Sequence, residues 1–321
     1  MKKRRQAPAA RIASPDVLAE RGAEDLKAGR FREAVESFRQ LVKIEPRPEW
    51  REALATAYVG RGRTLAAKGM YKEATMVFDN ATDVMQQVRS VKSAEEVAFI
   101  EKAAEIIGHA NEVLIQHAKV GIGEHELIAE MLREVVRRGG EPITMMLFGT
   151  GGPEVPWAQR VFTTRKLKAG DLINTEVEGK YAGYIAQALQ PISLGPKPKH
   201  LDKIFDATKV IFDRMVKFLK PGITFGAVAK FYQDEVAAAG YEPDGALMHG
   251  RGLGEDAPML WGARKDFPEK DQILKEGHVF ILKPACRQGF MRDSIRAGDT
   301  VAIEANGARR LGKRDLTFIS V

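Results

Sequence analysis

Apolar and polar positions alternate along this chain with two periods, one helical and one extended. Phe31, Ala34, Phe38 and Leu41 recur at helical spacing, and Tyr71, Ala74, Phe78 and Ala81 repeat the same order. The matching segments, Gly29–Phe38 and Gly69–Phe78, mark an internal repeat, with Gly22 and Pro46 flanking the first copy and Gly62 preceding the second. The insertion around Arg47-Pro48-Glu49-Trp50 lengthens the joint between the copies. The pattern next predicts a long helix over Ala94–His117. Two more amphipathic helices each follow a Gly-Ile pair, Gly121-Ile122 and Gly222-Ile223, and stop at Gly139-Gly140 and Gly240. Each stop leads into Glu-Pro, at Glu141-Pro142 and Glu242-Pro243, and the offset between the two copies is constant. This predicts two related α+β halves facing each other.

Strand-length segments rich in apolar or β-branched residues cover Ile143–Phe148, Asp171–Val177, Tyr181–Gln187, His278–Lys283 and Thr300–Ala305. A turn at Glu178-Gly179-Lys180 would make Glu176 and Gln187 partners on one hairpin. Side chains alternate by face along a strand, so Glu176 and Glu178 are expected to point the same way, toward a cleft.

Composition narrows the classes. The chain has 321 residues, a length that suggests about two domains. No apolar run approaches the ~18 residues that a membrane span needs. The basic start, Met1-Lys2-Lys3-Arg4-Arg5, is followed by no apolar signal core. Residues 1–14 are expected to be a disordered basic tail. Cys286 is the single cysteine, which excludes an internal disulfide and fits a cytoplasmic location. The net charge is +7, but Lys and Arg are dispersed among acids, so no specific nucleic-acid partner and no membrane partner are expected.

The landmarks between Ser93 and Val321 carry a resemblance. Gly170-Asp171-Leu172-Ile173-Asn174-Thr175-Glu176 leads into a strand pair ending at Gln187. His249 lies in Met248-His249-Gly250-Arg251-Gly252, Lys283 follows Val279-Phe280-Ile281-Leu282, and Gly298 precedes Asp299-Thr300-Val301. In this order the motifs resemble the pita-bread peptidase family, which includes methionine aminopeptidase, proline aminopeptidase, prolidase and creatinase. The resemblance implies an α+β pita-bread domain over residues 91–321. Over residues 15–90 the repeat resembles tetratricopeptide hairpins, which implies a small all-α domain ahead of it. Two repeats rarely stand alone, so they are expected to pack as an adaptor or at a homodimer contact, with a bound protein partner as the other reading.

The resemblance also assigns roles. Metal-binding members place carboxylates or His at the positions of Glu176, Gln187, His249, Lys283 and Gly298. This chain keeps His249, changes the others, and brings an ammonium into the ligand set. An ammonium cannot ligate while protonated. No metal and no other cofactor are therefore expected, and Glu176 with Lys283 reads as an ion pair replacing the metals. The resemblance makes His249 the acid or base, with Glu176 and Lys283 as the other catalytic groups. Gln187, Arg251, Glu178, Trp157 and Gln159 are expected to bind substrate. Arg251, Glu255 and Asp256 lie in a polar loop one residue shorter than the family pattern. The implied function is metal-independent hydrolysis of a small polar substrate, either a peptide or an amidino or amide compound. One alternative is a non-catalytic binding protein using the cleft and the repeats. The other is a metallopeptidase similar to aminopeptidase P.

Overall fold

The computed structural model describes residues 14–45, 47–142, 146–152, 162–289 and 293–321. The expected tail falls outside these residues, except for Ser14, which caps the first helix. The chain divides into two compact units, the first ending at Val88 and the second running Arg89–Val321.

The first unit holds α1 (Pro15–Lys27), α2 (Phe31–Ile44) and α3 (Pro48–Ala67), and most of α4 (Tyr71–Ser90). Gly29 and Gly69 turn the chain between helices at φ +69° and +75°, a conformation that side chains with a Cβ rarely adopt. Leu18, Phe38, Leu41, Trp50, Leu54 and Tyr58 form its core. The small residues sit where rings press closest. A Cβ on Gly22 would lie 2.9 Å from the Phe38 ring, and one on Gly60 would lie 2.3 Å from Phe31.

The second unit is α+β. Its helices are α5 (Ala94–His117), α6 (Glu124–Arg137), α7 (Lys199–Phe218) and α8 (Phe225–Ala238). Its strands are β1 (Met146–Gly151), β2 (Leu172–Tyr181), β3 (Tyr184–Leu189), β4 (Ile192–Ser193), β5 (Glu242–Pro243), β6 (Ala246–Arg251), β7 (Glu255–Trp261), β8 (Val279–Leu282), β9 (Ala285–Gln288), β10 (Asp293–Arg296), β11 (Asp299–Glu304), β12 (Gly307–Arg310) and β13 (Ile319–Ser320). The main sheet runs β13-β4-β2-β3-β11-β8-β6-β7, with β1 added on β2 and β12 on β11. A small sheet runs β10-β9-β5.

Two cores hold this unit. Ile100, Ile107 and Leu114 of α5 and Leu127 and Met131 of α6 pack on Ile173, Val177 and Ala186. Phe205, Phe212, Phe225 and Tyr232 of α7 and α8 pack on Leu247, Phe280, Leu282 and Val301. A fully buried apolar side chain of this size contributes about 1.5–3 kcal/mol, so these cores, more than any ion pair, set the fold.

The two halves repeat each other in backbone detail. Gly121 N donates to Leu167 O at 2.8 Å, and Gly222 N donates to Leu274 O at 2.9 Å. Leu167 N returns to Ile122 O at 2.9 Å, as Leu274 N returns to Ile223 O at 2.8 Å. The α5 boundaries agree with the predicted helix. Ser93 and Glu96 close its start as a reciprocal capping box.

The hairpin differs from its expected form. It does not turn at Glu178-Gly179-Lys180. It turns at Ala182-Gly183, with φ of 48° and 83°, the two-residue turn whose twist suits a hairpin. Gln187 therefore opposes Glu178, while Glu176 opposes Leu189. Gly179 lies within β2 because α5 crosses it closely. A Cβ there would come 2.6 Å from Ala103 O and from Ile107 Cγ1. The strand predicted from Ile143 begins, among the described residues, at Met146.

Candidate functional site

The middle of the main sheet brings the predicted residues together. Glu176 and Glu178 lie on β2, Gln187 on β3, His249 and Arg251 on β6, and Lys283 just past β8. All six are buried. Alternation along β2 keeps both acids on one face.

Glu176 is held by three donors. Lys283 Nζ donates to its Oε2 at 2.9 Å and Gln187 Nε2 donates to the same oxygen at 3.2 Å. Arg296 Nη1, from β10, donates to Oε1 at 3.2 Å. Gln187 is fixed through its backbone, with its N–H donating to Thr300 Oγ1 at 2.9 Å and its carbonyl accepting from that hydroxyl at 2.8 Å. Burial holds the Lys283 ammonium below the usual lysine range, and the Glu176 charge opposes that shift.

Arg251 is 1% exposed, and its Nη1 lies 2.8 Å from Glu178 Oε1. Burial raises the Glu178 carboxyl above its ordinary range, offset in part by Arg251. The other edge of the guanidinium is different. Nε and Nη2 are buried without a hydrogen-bond partner. Gln187 Oε1 and His249 Nδ1 are also buried and unpartnered. Glu255, half-exposed at 47%, places Oε1 3.9 Å from both Arg251 Nη2 and His249 Nε2. That separation is too long for a hydrogen bond.

His249 is lowered from 6.5 to about 2, first by burial and then by the nearby Arg251 and Lys283 charges. It is neutral at physiological pH. Asp256, the neighbour of Glu255, turns elsewhere. Lys92 Nζ lies 2.6 Å and Arg89 Nη2 2.7 Å from its carboxylate oxygens, tying down the loop after β6. Gly298 is packed from above. A Cβ there would lie 2.9 Å from both Lys283 Cβ and Leu189 Cδ1.

Trp157 and Gln159 lie outside the described residues. Sequence reasoning missed Arg296, which no motif marks. Its signal was a glycine. Gly245 leaves the space that the guanidinium fills, and a Cβ there would meet Arg296 Nη2 at 2.1 Å. Asp244 Oδ2 lies 3.8 Å from the same Nη2 and accepts from Ser294 Oγ at 2.9 Å.

This arrangement has known relatives. Residues 98–305 match the profile of Metallopeptidase family M24. The Xaa-Pro dipeptidase of Pyrococcus furiosus is 26% identical over 247 residues, covering 76% of this chain and 70% of the relative. The solved prolidase from that organism superposes with a TM-score of 0.65 at 26% identity, over 73% of this chain and 68% of the other. Methionine aminopeptidase from Rickettsia prowazekii, at 14% identity, shares the fold alone, with a TM-score of 0.62 over 70% of this chain and 100% of its own. The α+β unit therefore has the pita-bread fold, and a helical region precedes it. Among the described residues no helix is long and apolar enough to cross a membrane.

Proposed function

The chain belongs to metallopeptidase family M24, and on that footing we propose that it cleaves the C–N bond of a small peptide-like substrate without a bound pair of divalent metals. The observation that carries the metal-free part is Lys283 Nζ seated 2.9 Å from Glu176 Oε2. Two adjacent divalent ions need several carboxylates to neutralise and hold them. The five family positions supply one carboxylate, and that carboxylate already meets an ammonium, an amide and a guanidinium. Among the described residues no cluster of three or more His, Cys, Asp or Glu side chains has metal-binding geometry. These residues do not fit the metal pair.

A peptide-like substrate takes precedence over an amidino acid because the relatives are named Xaa-Pro dipeptidase and prolidase. In this reading Lys283, Arg251 and Arg296 supply the fixed positive charge that stabilises a developing oxyanion. His249, being neutral, accepts a proton from the attacking water and is not a stored acid. Lys283, with its lowered pKa, donates to the leaving amine. Gln187, Glu178, Trp157 and Gln159 bind substrate. The helical unit serves as a tetratricopeptide-like packing element in a cytoplasmic homodimer.

A second reading, a non-catalytic binding protein, is favoured by one observation. A pKa of about 2 makes His249 a weak base at neutral pH. The test is hydrolysis of an Xaa-Pro dipeptide by the purified full chain, with metal analysis and with chelator present. The expected result is no stoichiometric metal, chelator-resistant turnover, and loss of turnover in His249→Gln. Chelator-sensitive turnover with one or more metals per chain would establish the metallopeptidase alternative instead. Binding without turnover would establish the second reading.

A further inference from the structure

We propose that the open edge of Arg251 is a carboxylate anchor, so that the site selects ligands bearing a free carboxylate. This rests on the metal-free reading above, because a metal pair would itself compete for such a group. Nε and Nη2 form one side of the planar guanidinium, and that side matches the two oxygens of a carboxylate in a bidentate fork. In this protein the opposite side is spent on Glu178 at 2.8 Å, while the bidentate side has no hydrogen-bond partner. Buried donors are almost always satisfied, and leaving one unmet costs about 1–3 kcal/mol. Two unmet donors on one group therefore point to a partner that arrives with the ligand.

Cations line this part of the site. Arg251, Lys283 and Arg296 stand around the buried carboxylates Glu176 and Glu178, and the carboxylate nearest the open edge of Arg251, Glu255, is too far to bond it. Glu255 hovers at the rim, where one oxygen reaches toward Arg251 Nη2 and His249 Nε2 without bonding either. Its half-exposed side chain occupies the approach loosely and is free to yield it to a ligand carboxylate. Gln187 Oε1 and His249 Nδ1 remain as unfilled polar atoms in the same site. A planar carboxylate suits the fork better than a bulkier tetrahedral phosphate.

The experiment is calorimetric titration of the full chain, with chelator present, using N-acetylglycine, its neutral amide N-acetylglycinamide, and inorganic phosphate. The acid is expected to bind at least about tenfold more tightly than the amide, because a charged hydrogen-bonded pair is worth roughly that factor. Arg251→Lys keeps a charge for Glu178 but loses the fork, so it should weaken the acid about tenfold and leave the amide unchanged. Glu255→Gln should tighten the acid by removing a competing charge. Equal binding of acid and amide, no binding of the acid, or an Arg251→Lys variant that binds the acid normally would each overturn the anchor. Tighter binding of phosphate would overturn the choice of carboxylate. If Arg251→Lys does not fold, the Nε–H resonance of Arg251 in the unaltered protein must shift with the acid and not with the amide. Acid binding that needs added metal and vanishes with chelator would overturn the metal-free reading as well. A metal-free protein that ignores the acid overturns the anchor alone.

Discussion

Glu176 and Glu178 share a strand and a face, and each meets a buried cation, yet their surroundings are unequal. Glu176 collects Lys283, Gln187 and Arg296, so both of its oxygens are satisfied. Glu178 meets Arg251 through one nitrogen, and the rest of that guanidinium is left unfilled. The first cluster is closed, with its carboxylate fully bonded within the protein. The second is open and reads as a place where something else completes the bonding. Buried charge therefore stands in two different settings on one strand, and satisfaction of hydrogen bonds, more than burial, tells them apart.

The comparison breaks most visibly at Lys283. Removing one partner of a buried pair typically costs about 3–5 kcal/mol. Arg296 remains on Glu176, so Lys283→Met is expected to cost about 3 kcal/mol, at the low end of that range, in urea unfolding. Adding Glu176→Gln should recover most of the loss, with a coupling above ~1 kcal/mol in the double-mutant cycle. Additive effects would mean that the closed cluster is not a unit.

Arg251→Met should cost less, on the order of 2 kcal/mol at pH 7. Burial already raises the Glu178 carboxyl against the opposing Arg251 charge, so its charged form is the easier of the two to give up, and the variant also relieves two unmet donors. The cost should shrink as pH falls, because the variant removes the cation that opposes protonation of Glu178. Equal costs for the two variants at pH 7 would erase the distinction between the clusters.

His249 feels a cation of each cluster, Arg251 and Lys283, and reports on both. Its folded pKa is depressed from 6.5 to about 2, so its contribution is present above pH 6.5 and is lost as pH falls. From pH 7 to pH 5 the protein should lose about 2 kcal/mol more than its His249→Gln variant, from 1.36 kcal/mol per unit over about 1.5 units. Matching acid limbs in the two unfolding series would show that the imidazole is not held neutral between these cations. The smallest effect belongs to Glu255→Gln. Its half-exposed carboxylate sits 3.9 Å from its neighbours, so stability should move by less than ~0.5 kcal/mol even as carboxylate binding tightens.

Much of the fold was legible because it is written in periods and glycines. The α5 limits, the paired Gly-Ile turns and the strand at Val279–Leu282 all follow from local patterning. The hairpin register was not legible, because Gly179 and Gly183 look alike in sequence. Only the crossing of α5 shows that the first serves packing and the second serves the turn. In the site, Glu176, Gln187, His249 and Lys283 stood out at landmark positions. Arg296 did not, since its contact with Glu176 spans 120 residues and depends on the space at Gly245.

Gly298 couples this site to the end of β8. The volume that a side chain would need there is already taken by Lys283 Cβ, Leu189 Cδ1 and Leu282 O, the last only 3.0 Å from where a Cβ would lie. A side chain at residue 298 needs the end of β8 to shift, while the flexible tip of Leu189 can swing aside. Lys283→Glu alone would not open that space, because its Cβ stays in place. It would also set a second carboxylate beside Glu176 in place of the Lys283 ammonium. Neither change alone is accommodated by the present packing, so the two positions are coupled, and a substitution at one changes what the other can hold.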